Sequence, residues 1–483
     1  MRRVVTVVMA VVALLVGLAG YAALDAYDLV PGVLTLAPAP DPQPVLPPGA
    51  TATTPPPVAQ PSADPSGMPL AASGAQAPQP SPAALQAALA PVLVDSSLRG
   101  AGVTVRDAAT GAHLLDQLAD TPLIPASTVK LLAGAAVDAT FAPGATQTTT
   151  VVEGPAAGGV PQVFLVAGGD TLLAPGAGDP SAVVGRAGLG DLVAQTAAAL
   201  KAQGATAAGV HLDLSYAPGP LTAPTWLPGF VGEGITGAVA TIGLSSQRAT
   251  PGRAGPSDPP AAVAAAFVAG LKTNGIEATL TGRDAAPAGA TPLAAVTSAP
   301  VADQLALALV ESDDALTESL ARQAAFTKGA APTFQATADY VEATLAGLGV
   351  DVSGVTLVDA SGLSRQNLVP ARVVGDVIAL GATPPVRSTA FATTLRGLAV
   401  AGLDGTLSDR FLEPGAHVAA GVAQAKTGTL TGVSGLAGLV VTADGRLLTY
   451  DVITNAATPG AGTLAARAAL DRFVAVLASC GCR

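Results

Sequence analysis

The chain has 483 residues, of which half are hydrophobic and only 12% charged, and its net charge is −11. That length suits two or three domains with a large core, and the acidic balance argues against nucleic acid as a partner. With three histidines, two cysteines and no Gly-x-Ser-x-Gly, the chain has no His/Cys set at zinc spacing and no nucleophile elbow of the Ser-His-Asp type. No metal and no cofactor is expected.

In chain order, Met1-Arg2-Arg3 is a short basic start, followed by 21 uncharged residues from Val4 to Leu24. Such a run is long enough to span a bilayer, and the arginines place its N-terminus inside. Residues 1–25 are therefore expected to be a membrane anchor or an export signal, with an uncleaved anchor preferred because no clean Ala-x-Ala site follows. Residues 26–82 form a linker. Between Pro38 and Pro82 there are 15 prolines in 45 residues, a composition that favours extended conformations and buries no core.

Folded structure is expected from about residue 83. Ala84–Leu93 reads as a helix that Pro91 bends or ends early. Gly102–Asp107 and His113–Leu115 read as a hairpin. Then comes Pro125-Ala126-Ser127-Thr128-Val129-Lys130-Leu131-Leu132. Proline followed by apolar helix formers marks a helix start, so Ser127 and Lys130 at i and i+3 share a face. A lysine at a helix N-terminus, partly buried, is pushed toward its neutral form, and a neutral amine beside a serine is a base that activates a nucleophile. The chain has only five lysines, and Lys130 alone has a serine three positions before it.

From Ala145 to about Pro292, short strands (Thr148–Val152, Gln162–Ala167, Gly209–Leu214) alternate with helices (Asp191–Lys201, Ala261–Leu271) and carry no catalytic pair. Residues 145–293 are read as an inserted domain. Beyond it, helices are expected over Ala299–Val310, after the stretch Glu311–Leu316 to about Phe326, and over Pro370–Leu380. A hairpin spans Leu436–Thr442 and Arg446–Thr454 around Ala443-Asp444-Gly445. A last helix runs from about Ala461 to Ala478, with Leu464, Ala468, Leu470, Phe473, Val474 and Leu477 facing a sheet. Asp404-Gly405 reads as a turn. Cys480 and Cys482, with one residue between them, pair with each other or with another chain.

Three motifs recur in order: Ser127-x-x-Lys130, Ser312-Asp313-Asp314 and Lys426-Thr427-Gly428. They resemble the Ser-x-x-Lys, Ser-x-Asn and Lys-Thr-Gly motifs of the penicillin-interacting serine enzymes. The first two lie 185 residues apart, and a large insertion there resembles the DacB-type D-alanyl-D-alanine carboxypeptidase/endopeptidases, peptidase family S13. Asp359-Ala360-Ser361-Gly362-Leu363-Ser364-Arg365, Ala401-Gly402-Leu403-Asp404-Gly405-Thr406-Leu407 and Ala167-Gly168-Gly169-Asp170 are similar to further motifs of that family. The similarity covers roughly Pro82 to Ser479.

The resemblance implies an α+β fold: a β-lactamase/transpeptidase-like domain (83–144 and 294–483) with an antiparallel sheet flanked by helices and the insertion between its two parts. It implies a peptidoglycan stem peptide as substrate and β-lactams as acylating inhibitors. Ser127 attacks the carbonyl between the terminal D-alanines and Lys130 takes its proton. Ser312 relays a proton to the leaving amine. Charged Lys426, with Thr427 and Thr429, holds the terminal carboxylate beside Gly428. The backbone N–H groups of Ser127 and Thr429 form the oxyanion hole, where one donor is typically worth about 3 kcal/mol. Arg365 either makes a surface ion pair or meets the stem's diamino acid. One departure stands out: the family's Asn is Asp314, which when ionised cannot donate to a substrate carbonyl. A working carboxypeptidase, with endopeptidase action open beside it, is thus set against a catalytically weakened wall-binding protein.

Overall fold

A computed structural model describes residues 76–386, 388–456 and 461–482. The expected membrane segment, and the linker up to residue 75, lie outside the described residues. Among the described residues no helix is long and apolar enough to cross a membrane.

The described chain opens with α1 (Pro82–Leu93). Pro82 fills the first helical position and the Ser81 hydroxyl accepts from Ala84 N at 3.2 Å. The helix does not end at Pro91 but runs two residues past it. Next come β1 (Gly102–Asp107), β2 (His113–Gln117), β3 (Pro122–Leu123) and α2 (Val129–Thr140). A second group follows: β4 (Thr148–Ala157), β5 (Val160–Val166), α3 (Leu189–Ala202), β6 (Ala207–Asp213), α4 (Pro259–Thr273), β7 (Glu277–Gly282) and β8 (Pro292–Thr297). The last group is α5 (Val301–Glu311), α6 (Asp314–Thr327), α7 (Phe334–Gly347), β9 (Val369–Pro370), α8 (Ala371–Ala382), α9 (Thr389–Arg396), β10 (Ala423–Leu430), β11 (Val433–Val441), β12 (Leu447–Thr454) and α10 (Ala461–Ser479).

The first sheet has the order β10-β11-β12-β1-β2 and is antiparallel throughout. Chain-distant strands meet at its centre, where β1 pairs with β12. Every residue of β1 and β12 is buried, so both faces of the sheet are covered. On one face, Val103, Val105, Tyr450 and Val452 pack with Leu85 and Leu89 of α1 and with Phe473, Val474 and Leu477 of α10. The apolar face of α10 differs from expectation at its start. Leu464 is 68% exposed and Ala469 takes the inward position, because the helix meets the sheet only from its second turn.

On the other face, Ala437, Leu439 and Ile453 pack with α2 and α8 in a core that also includes α5, α6 and α7. Residues 129–138 of α2 are buried all round, as an apolar helix enclosed by others must be. The Ser127–Lys130 motif is therefore anchored to a helix that is enclosed on every side.

The second sheet, β7-β6-β5-β4-β8, is mixed. Strands β5, β6 and β7 are parallel neighbours joined through α3 and α4. Parallel strands need such crossovers, and here Leu192, Val193, Val263 and Phe267 of the two helices cover Val163, Leu165, Val210 and Leu212. Strand β8 straddles position 293.

Candidate active site

Ser127 sits in a single 3-10 turn, Ala126–Thr128, immediately before α2. The turn is fastened by Thr128 Oγ1, which donates to Pro125 O at 2.9 Å. Ala126 has φ +49°, left-handed backbone that a non-glycine residue adopts only under constraint. Two glycines supply it. A Cβ on Gly362 (φ +87°) would stand 2.0 Å from Ala126 O, and a Cβ on Gly428 would stand 2.7 Å from Pro125 O. The loop carrying Gly362 and the strand β10 thus both press against the nucleophile's turn.

Lys130 is fully buried. Its Nζ lies 2.9 Å from Ser127 Oγ, donates to Ser361 O at 2.6 Å, and is in hydrogen-bond contact with Asp314 Oδ1. Asp314 opens α6, where the Asp313 carboxylate is the cap, accepting from Leu316 N at 2.9 Å. Burial pushes the Asp314 carboxyl above the usual carboxylate range, against the pull of Lys130.

Ser312 closes α5 in left-handed backbone, φ +58°, which turns its side chain away from the helix axis. Its Oγ accepts from Lys426 Nζ at 2.8 Å. Lys426, on β10, also donates to Thr427 O at 2.8 Å. Its expected positive charge meets an obstacle. Burial first, and the nearness of Lys130 second, push the amine well below the ordinary lysine range. Thr427 Oγ1 donates to Thr406 Oγ1 at 3.0 Å. Thr429 follows Gly428 on β10, the edge strand of its sheet, whose outer side is paired with residues 399–401 at Ala423 and Ala425.

The remaining expectations resolve as follows. Arg365 is exposed, and its guanidinium donates to Thr431 O at 2.7 Å. Among the described residues it forms no ion pair. Asp404 accepts from Val400 N at 2.6 Å, a turn role. Trp226 Nε1 donates to Asp359 Oδ2 at 2.8 Å, tying the 226 segment to the Asp359–Arg365 loop. Cys480 and Cys482 are bonded to each other. A cavity of about 690 Å³ borders the site on the side of Ser312, Asp313 and Asp314, walled by Ile235, Thr236 and Arg248.

The sequence matches the D-Ala-D-Ala carboxypeptidase 3 (S13) family over residues 85–255 and 234–477. The chain belongs to the S13 carboxypeptidase family. It is 36% identical over 389 residues to carboxypeptidase DacB of Mycolicibacterium smegmatis, covering 78% of this chain and 80% of that one. It is 31% identical over 435 residues to a D-alanyl-D-alanine carboxypeptidase of an Actinomadura species, covering 75% and 79%. In fold it is similar to penicillin-binding protein 4 (dacB) of Haemophilus influenzae, with a TM-score of 0.65, 21% identity, and coverage of 80% of this chain and 97% of that one.

This S13 carboxypeptidase brings Ser127, Lys130, Ser312, Asp314, Lys426 and Thr427 together around one site. Three participants were not singled out as site residues, although Thr406 and Ser361 lie in the motifs Ala401–Leu407 and Asp359–Arg365. Thr406 touches Thr427, and the Ser361 carbonyl touches Lys130. Glu318 is 1% exposed and accepts from Ala360 N and Ser361 N at 2.9 and 2.8 Å. Only its spacing of four from Asp314, which puts both on one helical face, hinted at the last.

Proposed function

We propose that Ser127 is the nucleophile of a DD-carboxypeptidase acting on peptidoglycan stem peptides through an acyl-enzyme, with Lys130 as its base. The 2.9 Å separation of Lys130 Nζ from Ser127 Oγ carries this reading, since a base must lie within hydrogen-bond reach of the proton it abstracts. The Ser127 proton passes to Lys130, and the attack forms a tetrahedral oxyanion held by the N–H groups of Ser127 and Thr429. Ser312, hydrogen-bonded to Lys426, hands a proton to the departing D-alanine amine. Lys426, Thr427 and Thr429, beside Gly428, receive the substrate carboxylate. Water then releases the acyl group and restores the serine. The same acyl-enzyme serves endopeptidase cleavage of cross-links, and a β-lactam acylates Ser127 by the same attack. Arg365, on the loop that carries the Ser361 carbonyl to Lys130, meets the stem's diamino acid.

The uncharged run from Val4 to Leu24 anchors the body outside the plasma membrane, where the family's wall substrate is, and the Pro-rich linker holds it off the surface. Residues 145–293 are an insertion into the catalytic domain formed by 83–144 and 294–483. A second reading, a weakened wall-binding protein, draws on the contact of Asp314 with Lys130.

Labelling with a fluorescent penicillin, followed by assay of D-alanine release from a D-Ala-D-Ala tripeptide, tests the proposal. Wild type is expected to be labelled and to turn over, and Ser127→Ala to do neither. Release of D-alanine by Ser127→Ala at the wild-type rate defeats the proposal, and a wild type that is neither labelled nor active favours the binder.

A further inference from the structure

We infer that Glu318 is a positioning residue for Lys130, fixing the Ser361 carbonyl so that the amine's lone pair faces Ser127. The inference rests on the reading of Lys130 as the base.

A neutral primary amine has two N–H bonds and one lone pair. Around Lys130 Nζ stand three oxygens: Asp314 Oδ1, Ser361 O at 2.6 Å and Ser127 Oγ at 2.9 Å. If the first two take the N–H bonds, the lone pair is left for the Ser127 proton. That selection holds only while the Ser361 carbonyl keeps its direction; its own peptide unit is pinned through Gly362 N by Asp359, and the Cα of Ser361 from which it springs is held through the preceding N–H groups by Glu318. In this loop two buried carboxyl side chains claim the N–H groups. Glu318 Oε1 accepts from Ala360 N and Ser361 N at 2.9 and 2.8 Å. Asp359 accepts from Gly362 N at 2.8 Å and Ser364 N at 2.7 Å, and is itself fixed by Asn367 Nδ2 at 2.6 Å and Trp226 Nε1 at 2.8 Å.

Glu318 is the member that links the loop to the catalytic helices, since α6 also carries Asp314 one turn earlier. Taking a carboxyl out of water is unfavourable unless it gains partners. Burial, and then the nearby Asp359, push Glu318 up to about 8. At neutral pH its acid form therefore presents a carbonyl-type acceptor to the loop, which a glutamine reproduces and a leucine of similar size does not.

The test compares Glu318→Leu and Glu318→Gln with wild type, in steady-state D-alanine release and in the acylation rate with a fluorescent penicillin. Glu318→Leu is expected to lose about 10- to 100-fold in kcat and in acylation rate, the scale of a misplaced catalytic group. Its KM should stay within threefold, because Glu318 touches no substrate, and Glu318→Gln should remain near wild type. A folded Leu variant with wild-type kcat overturns the inference, as does a Gln variant that falls with it. If Glu318→Leu does not fold, Glu318→Asp decides. Its shorter side chain withdraws the acceptor, so kcat should drop about tenfold at unchanged KM, and an unaltered kcat overturns the inference. Ser127→Ala is run in parallel. If it is still acylated, the catalytic reading itself falls, and this inference with it. If it is inert while the Glu318 variants are normal, only this inference fails.

Discussion

Lys426 Nζ lies 2.8 Å from Ser312 Oγ, and the two residues reach each other from different elements, the edge strand β10 and the turn between α5 and α6. Burial holds the Lys426 amine well below its ordinary range, so in the empty site the proton is weakly held. An arriving carboxylate favours the charged form. Binding of a carboxylate-ended peptide should therefore take up a proton, and affinity should fall as pH rises. Calorimetric titration of Ser127→Ala with a D-Ala-D-Ala peptide, in two buffers of different ionisation heat, should show net proton uptake. A C-terminal amide should show none, and equal heats in both buffers would rule the coupling out.

Asp314→Asn is expected to speed turnover. Asn keeps an oxygen for Lys130 and adds an N–H for a substrate carbonyl, which ionised Asp lacks. A net hydrogen bond of about 1 kcal/mol corresponds to roughly a fivefold gain in kcat/KM. A loss of activity instead would mean that the carboxyl itself takes part in the proton transfer.

Most of the candidate site was legible in the sequence, because its signals are local or short: Ser127 and Lys130 one turn apart, Lys426 in a strand, Ser312 before a helix. Two hairpins, β1–β2 and β11–β12, and the helices packed on both sheets were legible for the same reason, period and turn residues, whereas the β4–β5 and β10–β11 hairpins, strands β7 and β8 and helix α7 were not read. The long-range consequences were not. Nothing local announces that Ala126 is left-handed, since the pressure comes from Gly362 and Gly428, 236 and 302 positions away. Burial of the Lys426 amine depends on neighbours brought in by folding, so nothing local announces the downward push on its hold of a proton. Leu464 has the right helical phase for the sheet but precedes the point at which α10 reaches it.

Gly362→Ala should abolish most acylation without unfolding the protein. The added methyl meets Ala126 O at 2.0 Å, and the φ of +87° is unfavourable for alanine. The turn bearing Ser127 has to shift, and a displacement of about 1 Å costs on the order of 10²-fold in rate. The expected result is native circular dichroism with penicillin labelling slowed by about that factor. Labelling at the wild-type rate would show that the turn tolerates the intrusion.

Asp138, on α2, is buried and pushed up to about 6 by desolvation, although Thr394 Oγ1 donates to it at 2.6 Å. A folded-state value above the unfolded one means the native protein holds the proton more tightly. Its stabilising effect is thus complete below about pH 4 and is lost as pH rises to about 6. Asp138→Asn keeps an acceptor for Thr394 and cannot ionise. Its melting temperature should match wild type near pH 4 and exceed it at pH 7, by an amount equivalent to at most about 3 kcal/mol. Parallel melting curves across that range would remove Asp138 as the cause.

Helices α1 and α10 cover the sheet face opposite the one that Lys426 and α2 occupy, and Ser81 N donates to Cys482 O at 2.7 Å. The beginning and the end of the described chain are therefore fastened side by side, behind the catalytic wall. A handle or reporter joined beyond Cys482 is therefore carried on the side away from Lys426, so Ser127 should label with a fluorescent penicillin as readily in a bead-bound preparation as in the free protein.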